Sequence, residues 1–216
     1  MIDIDEFLPR FRGEAGNVPQ PVAFARLRDA AREFCRSTKA WTTRLTVTFT
    51  DPDRIEIASL VEQDAEFFEL TRKARFKGTT EADAYDIERI TPFDLDQRHP
   101  GWIEDADVAE TVQFVTSTDH NLLRVYPKAA GTLYATAVLI PDRQAETLPE
   151  FLLSDHEETI CRGAAAMALT TPQAEYANPQ RGLDLRNQFQ QAIDTMTMRA
   201  QRSDAKGRRN TRGRYF

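Results

Sequence analysis

The apolar residues of this chain change their period twice. Ahead of residue 40 they recur at helical spacing, as Ala23, Phe24, Leu27, Ala30, Ala31, Phe34 and Cys35. Arg26, Arg28, Asp29, Arg32 and Glu33 occupy the other face. At Trp41 the period drops to two. Residues 44–50 read RLTVTFT, with Leu45, Val47 and Phe49 on one side and Thr46 and Thr48 on the other. That alternation is the pattern of a half-buried antiparallel strand. After Pro141 the helical period returns. Neither period can serve the other element, so the ends of the chain are predicted helical and the middle β-rich.

Punctuation residues divide these stretches. The first twenty residues mix acidic residues, Pro and Gly, and read as an extended lead-in anchored by Phe7, Leu8 and Phe11. A helix is predicted from Pro21 to residues 37–39, since Pro suits a first turn. Asp51-Pro52-Asp53 is a turn signal before a short strand with Ile55, Ile57 and Leu60. Further strands are expected over residues 66–77, 86–90, 108–116, 122–126 and 132–140, as in a sandwich or small curled sheet. Thr147 and Pro149 predict the start of a second helix, which Thr171-Pro172 stops. Asn178-Pro179 then opens a last helix, whose stripe is Leu185, Phe189, Ile193, Met196 and Ala200.

The expected fold class is therefore α+β. It is a helical bundle of one N-terminal and two C-terminal helices, with an inserted antiparallel β-rich domain and an extended basic C-terminal tail. The expected domains are residues 1–40 with 146–203 (helical), 41–145 (β-rich) and 204–216 (a flexible docking tail). At 216 residues, with 41% hydrophobic and 29% charged, the composition is that of ordinary globular material. No apolar run approaches the ~18 residues that would span a bilayer. The opening MIDIDEFLPRF lacks a basic region followed by an apolar stretch, so no signal peptide is expected. Cys35 and Cys161 each fall in an apolar helical stripe and read as buried thiols in a reducing compartment.

Charge is distributed unevenly. Residues 199–216, RAQRSDAKGRRNTRGRYF, hold seven Lys or Arg and one Asp, a net +6. The whole chain sums to −6, which leaves −12 on everything before them. The segment has no apolar period and ends in Tyr215-Phe216. A basic arm of this kind suits nucleic acid, but an acidic body cannot present the broad positive face that duplex wrapping needs. The aromatic terminus favours a protein cleft, with the arginines reaching carboxylates on the partner.

Catalytic chemistry is hard to find. His99, His120 and His156 have no Cys or His at metal-ligand spacing. Ser154, Asp155 and His156 are consecutive on a predicted helix, so they point in different directions and cannot form a triad among themselves. Asp94 with Asp96, and Glu104 with Asp105 and Asp107, lack the spacing and Gly of a calcium loop. Phe67, Phe68 and Phe76, with Arg72, Lys73 and Arg75, resemble a base-stacking platform but equally fit a sheet that is buried on one face. Trp41 and Trp102 read as packing anchors. No phosphate loop, dinucleotide fingerprint, nucleophile elbow or HExxH motif occurs. No enzyme activity, cofactor or metal is expected.

Four stretches together resemble a known family. They are ARLRDAAREFCRSTKAW; NLLRVYPKAAGTLYATAVLIPDRQAETLPEFLLSDHEETICRGAAAMAL; YANPQRGLDLRNQFQQAIDTMTMRA; and the basic, aromatic-ended tail. The order resembles the head-to-tail adaptors of tailed bacteriophages, including the tail tubular protein A group. The resemblance implies a virion structural protein at the head–tail junction, assembled in the host cytoplasm. It implies a ring of copies, commonly twelve, between the portal protein and a downstream tail or nozzle protein. Double-stranded DNA would pass through the lumen without sequence-specific binding, and no membrane is involved. Carried over by position, Lys206, Arg208, Arg209, Arg212, Arg214, Tyr215 and Phe216 would contact the portal. An acidic channel wall would repel phosphate and let DNA slide. The alternative is a DNA-binding or DNA-packaging accessory protein that uses the same basic arm; an enzyme with a spatially assembled acidic site ranks last.

Overall fold

The computed structural model describes residues 1–57, 61, 63–79, 83–104, 111–119 and 121–206. The elements in chain order are β1 (Ile2–Asp3), a 3-10 turn (Ile4–Phe7), α1 (Leu8–Ala15), α2 (Gln20–Thr38), β2 (Thr42–Phe49) and β3 (Ile55–Glu56). Then come β4 (Ala65–Gly78), β5 (Tyr85–Arg89), α3 (Pro92–Arg98), β6 (Phe114–Asp119), β7 (Leu122–Tyr126) and β8 (Gly131–Pro141). The last are β9 (Thr147–Leu148), α4 (Glu150–Leu169) and α5 (Pro179–Lys206). They form two compact units, Met1–Lys39 with Pro141–Phe216, and Ala40–Ile140.

In the first unit, α2 buries Ala23, Leu27, Ala30, Ala31, Phe34 and Cys35 along one stripe. The helix ends at Lys39, whose left-handed φ of 55° turns its N–H onto the Cys35 carbonyl at 2.9 Å. α4 packs against α1, α2 and α5 together. Its second half is therefore buried nearly all round, and Gly163, Ala164, Ala165, Ala166 and Ala168 let three neighbours approach. A Cβ on Gly163 would lie 2.8 Å from the Phe189 ring, and one on Gly182 would lie 2.7 Å from the Thr170 methyl. Close approach of α4 and α5 thus depends on both glycines. Arg186 makes a two-pronged contact with Glu33, at 3.0 and 2.7 Å, tying α5 to α2.

The second unit is a seven-stranded sheet in the order β2-β8-β4-β5-β6-β7-β3. β2 runs antiparallel to β8, with Thr46 opposite Tyr134. β5 and β6 run parallel, with Glu88 opposite Phe114. Parallel neighbours need a long crossover connection, and residues 90–113, containing α3, provide it. α3 starts at Pro92, with Thr91 as its cap: the Asp94 N–H donates to Thr91 Oγ1 at 3.1 Å. Beneath it, Ile90, Leu95 and Trp102 form a buried cluster against Phe114 and Tyr126. Gly131 opens β8 where a Cβ would lie 2.3 Å from the Lys77 carbonyl oxygen and 2.6 Å from the Phe76 ring.

These findings correct the expected fold class. The protein is a mixed α/β fold with a large sheet and five α-helices among its described residues, and not a helical bundle carrying an antiparallel insert. The sheet contains a parallel pair, and α3 belongs to the sheet unit. The helical unit has a small sheet of its own, β1 with β9, in which Ile2 pairs with Leu148. The first twenty residues are not an extended lead-in. Phe7, Phe11 and Ala15 are spaced four apart, and all three are buried by the 3-10 turn and α1. Thr147 lies in β9 and does not cap α4, whose N-cap is Pro149.

Candidate functional site

α5 is the element that carries the basic segment. Asn178 starts it, its Oδ1 accepting from the Arg181 N–H at 3.2 Å. Its 28 residues span about 42 Å at the usual helical rise. Leu185, Phe189 and Ile193 hold it in the first unit, and Thr197 Oγ1 donates to the Ser37 carbonyl at 3.4 Å. Met198, the next residue, is 51% exposed. The helix therefore continues beyond the last buried apolar side chain among the described residues and leads without a break to Lys206. Lys206 is its final residue. Arg208, Arg209, Arg212, Arg214, Tyr215 and Phe216 lie outside the described residues.

The outward face of α5 was not singled out from the sequence. Its exposed positions from residue 187 to residue 198 are Asn187, Gln188, Gln190, Gln191, Asp194, Thr195 and Met198. Asp194 is the one charged residue among them. The signal was present as the string NQFQQAIDTMTM, a charge-poor window in a chain that is 29% charged. Gln188, Gln191 and Thr195 also line a shallow groove against Thr159, Asp155 and His156 of α4.

The other candidates resolve into structural roles. His156 stacks on Phe34 with ring centroids 4.8 Å apart, and edge-on to Phe151 at 6.1 Å. Burial lowers its pKa, against an opposing pull from Asp155. His99 packs against Tyr126 and Phe114, with ring centroids at 5.0 and 5.8 Å. His120, Asp105 and Asp107 lie outside the described residues. Asp94 accepts from Thr91 Oγ1 at 2.7 Å, and Asp96 accepts from Trp102 Nε1 at 2.5 Å, so each carboxylate serves the α3 region locally. Among the described residues, no group of three or more His, Cys, Asp or Glu is placed to hold a metal.

Phe67 and Phe76 are buried in the sheet core, Phe68 is half-buried, and Arg75 pairs with Asp86 at 3.8 Å, while the side chains of Arg72 and Lys73 lie outside the described residues. Trp41 and Trp102 are buried. Cys35 and Cys161 are free, buried thiols, each pushed by burial to a pKa of about 12. No helix among the described residues is long and apolar enough to cross a membrane.

The model for the SU10 adaptor protein family matches residues 2–213, and the chain belongs to that family. It is thus of the bacteriophage head-to-tail adaptor class, with a structural role in the virion. No curated protein matches the chain.

Proposed function

We propose that copies of this chain form a ring, commonly of twelve, that joins the portal to the next tail component and surrounds the path of the ejected DNA. In this reading residues 204–216 are the docking segment. Lys206, Arg208, Arg209, Arg212, Arg214, Tyr215 and Phe216 make the portal contact. The helical residues 1–40 and 146–203 and the β-rich residues 41–145 act as separate parts, with the β-rich part toward the tail. The resemblance of the four sequence stretches supports a likeness to the tail tubular protein A group of adaptors. Assembly takes place in the host cytoplasm.

The observation that carries this reading is the family match over residues 2–213, which includes nearly all of the basic segment. The unbroken course of α5 to Lys206 supports it, because a helix projects its end at a fixed angle from the body. The body's −12 supports a lumen that DNA passes through without adhering.

Deletion of residues 206–216 tests the reading. The truncated chain is expected to keep its circular dichroism spectrum and lose co-sedimentation with the portal. Normal portal binding by the truncated chain would remove the docking assignment. The net +6 of residues 199–216 keeps a DNA-binding accessory role as the second reading. That role requires tight duplex binding at low salt that collapses as salt is raised, so a mobility shift at two salt concentrations separates the two.

A further inference from the structure

We propose that the open edge of β2 is a docking site for an extended segment of another virion protein, which adds to the sheet as a further strand. The inference is independent of the portal contact assigned to residues 204–216 and names a second surface.

The first argument is the backbone. β2 is an end strand of the seven-stranded sheet, with β8 alone beside it. The Leu139 N–H donates to the Trp41 carbonyl at 2.8 Å, so these two residues form a hydrogen-bonded pair. Such pairs recur at every second residue, which turns the N–H and C=O groups of Thr43, Leu45, Val47 and Phe49 toward β8. Those of Thr42, Arg44, Thr46 and Thr48 face away. The side chains agree: Thr48 Oγ1 lies 3.0 Å from Thr132 Oγ1, the close approach of a pair without backbone hydrogen bonds. Among the described residues, nothing bonds the outward backbone groups of these four.

The second argument is that this edge is unguarded. Proteins protect open edges with short strands, Pro, Lys or bulges. The opposite edge follows that rule: β3 is two residues long, comes shortly after Pro52 and sets Arg54 against Glu56 at 2.9 Å. β2 is eight residues long, spans about 26 Å, pairs without a bulge and holds neither Pro nor Lys. An added strand pairs with an outward row of this kind through its own main chain.

The third argument selects the occupant. The buried row of Leu45, Val47 and Phe49 calls for apolar residues on the inner face of the added strand, and the exposed row of Thr42, Arg44, Thr46 and Thr48 for polar ones on the outer face. Arg44 is the one charged residue of β2, and it has no ion-pair partner among the described residues. The segment that fits therefore alternates apolar and polar residues and sets a carboxylate beside Arg44. A second copy does not supply it. Of the end strands only β2 has the length, and β2 carries no carboxylate. Pairing two such edges would also bring together two bodies of −12.

The test assembles virions with the full chain carrying the photoreactive residue p-benzoylphenylalanine at position 48, irradiates them and maps the adducts by mass spectrometry. The expected adduct joins position 48 to an extended segment of a different virion protein. Thr46→Pro removes an outward N–H and no bond to β8, a position at which an edge strand tolerates Pro. It is expected to keep the urea midpoint of the isolated chain and to lower the adduct yield about tenfold, the effect of losing one hydrogen bond. Thr46→Val keeps the N–H and is expected to keep the yield. Arg44→Glu leaves the backbone as it is and is expected to lower the yield as well; it decides the matter if the Pro variant does not fold. Adducts to a second copy alone, no adduct at all, equal yields from Thr46→Pro and Thr46→Val, or an unchanged yield from Arg44→Glu would each overturn the proposal.

Discussion

Gly163 of α4 lies against the ring of Phe189 of α5, so closely that a Cβ at 163 would come within 2.8 Å of Cε2 and 2.9 Å of Cδ2 and Cζ. Phe189 is fully buried and has no open side to move into. Gly163→Ala is therefore expected to destabilise the protein by about 1–3 kcal/mol, the usual cost of overpacking, even though Ala is the better helix former. Chemical denaturation reads the change. Phe189→Leu in the Gly163→Ala background should recover part of the loss, because it removes the clashing ring atoms. Additive costs in the double variant would mean that α4 and α5 do not meet as described.

Thr116 of β6 points the other way. It is 1% exposed, and its Oγ1 has no hydrogen-bond partner among the described residues. An unsatisfied buried hydroxyl costs about 1–3 kcal/mol, whereas a methyl in its place costs nothing in hydrogen bonding. Thr116→Val keeps the shape and the β-branching, so the urea midpoint is expected to rise by the equivalent of roughly 1 kcal/mol. A drop in the midpoint would show that the hydroxyl is satisfied after all.

How much of this was legible in the sequence depended on the signal each element left. α2 and α5 bury single stripes on one side, and their periods gave them away: Leu27 and Phe34 in one, Leu185 and Phe189 in the other. β2 and β8 alternate or run apolar between clear turn residues, and they lie close to where they were expected. α1 was missed because Pro9 and Gly13 looked like breakers, although Pro in a first turn is compatible with a helix and the Phe7–Phe11–Ala15 spacing was visible. α3 was missed because it is seven residues long with one buried side chain, Leu95. Missing it hid the crossover, and with it the parallel pairing of β5 and β6, so an all-antiparallel sheet followed. The expected strand over residues 108–116 falls partly outside the described residues, and β6 begins only at Phe114. The basic segment was the most conspicuous feature of the sequence. A segment without an apolar period leaves no sequence signal of how it packs, and the continuation of α5 through its first residues to Lys206 was not legible for that reason.

The contact of Arg186 with Glu33 should be worth little despite its geometry. Both side chains keep substantial exposure, 42% and 29%, so solvent screens the pair. Glu33→Gln is expected to cost about 0.5–1 kcal/mol at low salt, and less at high salt. A double-mutant cycle with Arg186→Gln, run at two salt concentrations, measures the coupling. A coupling that salt leaves untouched would mean the pair is more enclosed than its exposure indicates.

His156 gives the first unit a pH dependence whose sign follows from its surroundings. Packing against Phe34 lowers its pKa below the ordinary 6.5. The unfolded chain therefore takes up the proton first as pH falls, so the neutral ring's contribution is fully present above about pH 6.5 and is lost as pH falls toward the folded pKa. Below the folded pKa there is no further loss from this group. Carboxylates titrate at lower pH, so the comparison that isolates His156 is wild type against His156→Leu. The variant is expected to lose less stability than wild type between pH 7.5 and pH 5.5. Parallel pH profiles would show that the imidazole is solvated in the native state.

Cys35 and Cys161 test the packing of the same unit by reactivity. Both are free, both are fully buried, and burial pushes both thiols up to about 12. Thiolate is the reactive form, so at pH 7 each thiol is held back twice, by its protonation and by lack of access. The native protein is expected to leave both unmodified by a maleimide over a time in which the urea-unfolded chain reacts fully. Each cysteine should then react only as fast as the helices around it open, and mass spectrometry of partly labelled protein distinguishes the two. Cys161 sits on α4, which α1, α2 and α5 all cover, whereas Cys35 lies near the end of α2. Helix ends open more readily than enclosed centres, so Cys35 should label first. Gly163→Ala, by loosening α4 against α5, should speed labelling of Cys161 more than that of Cys35. The reverse order would place the weak point of the unit at the α4–α5 contact in the unmodified protein.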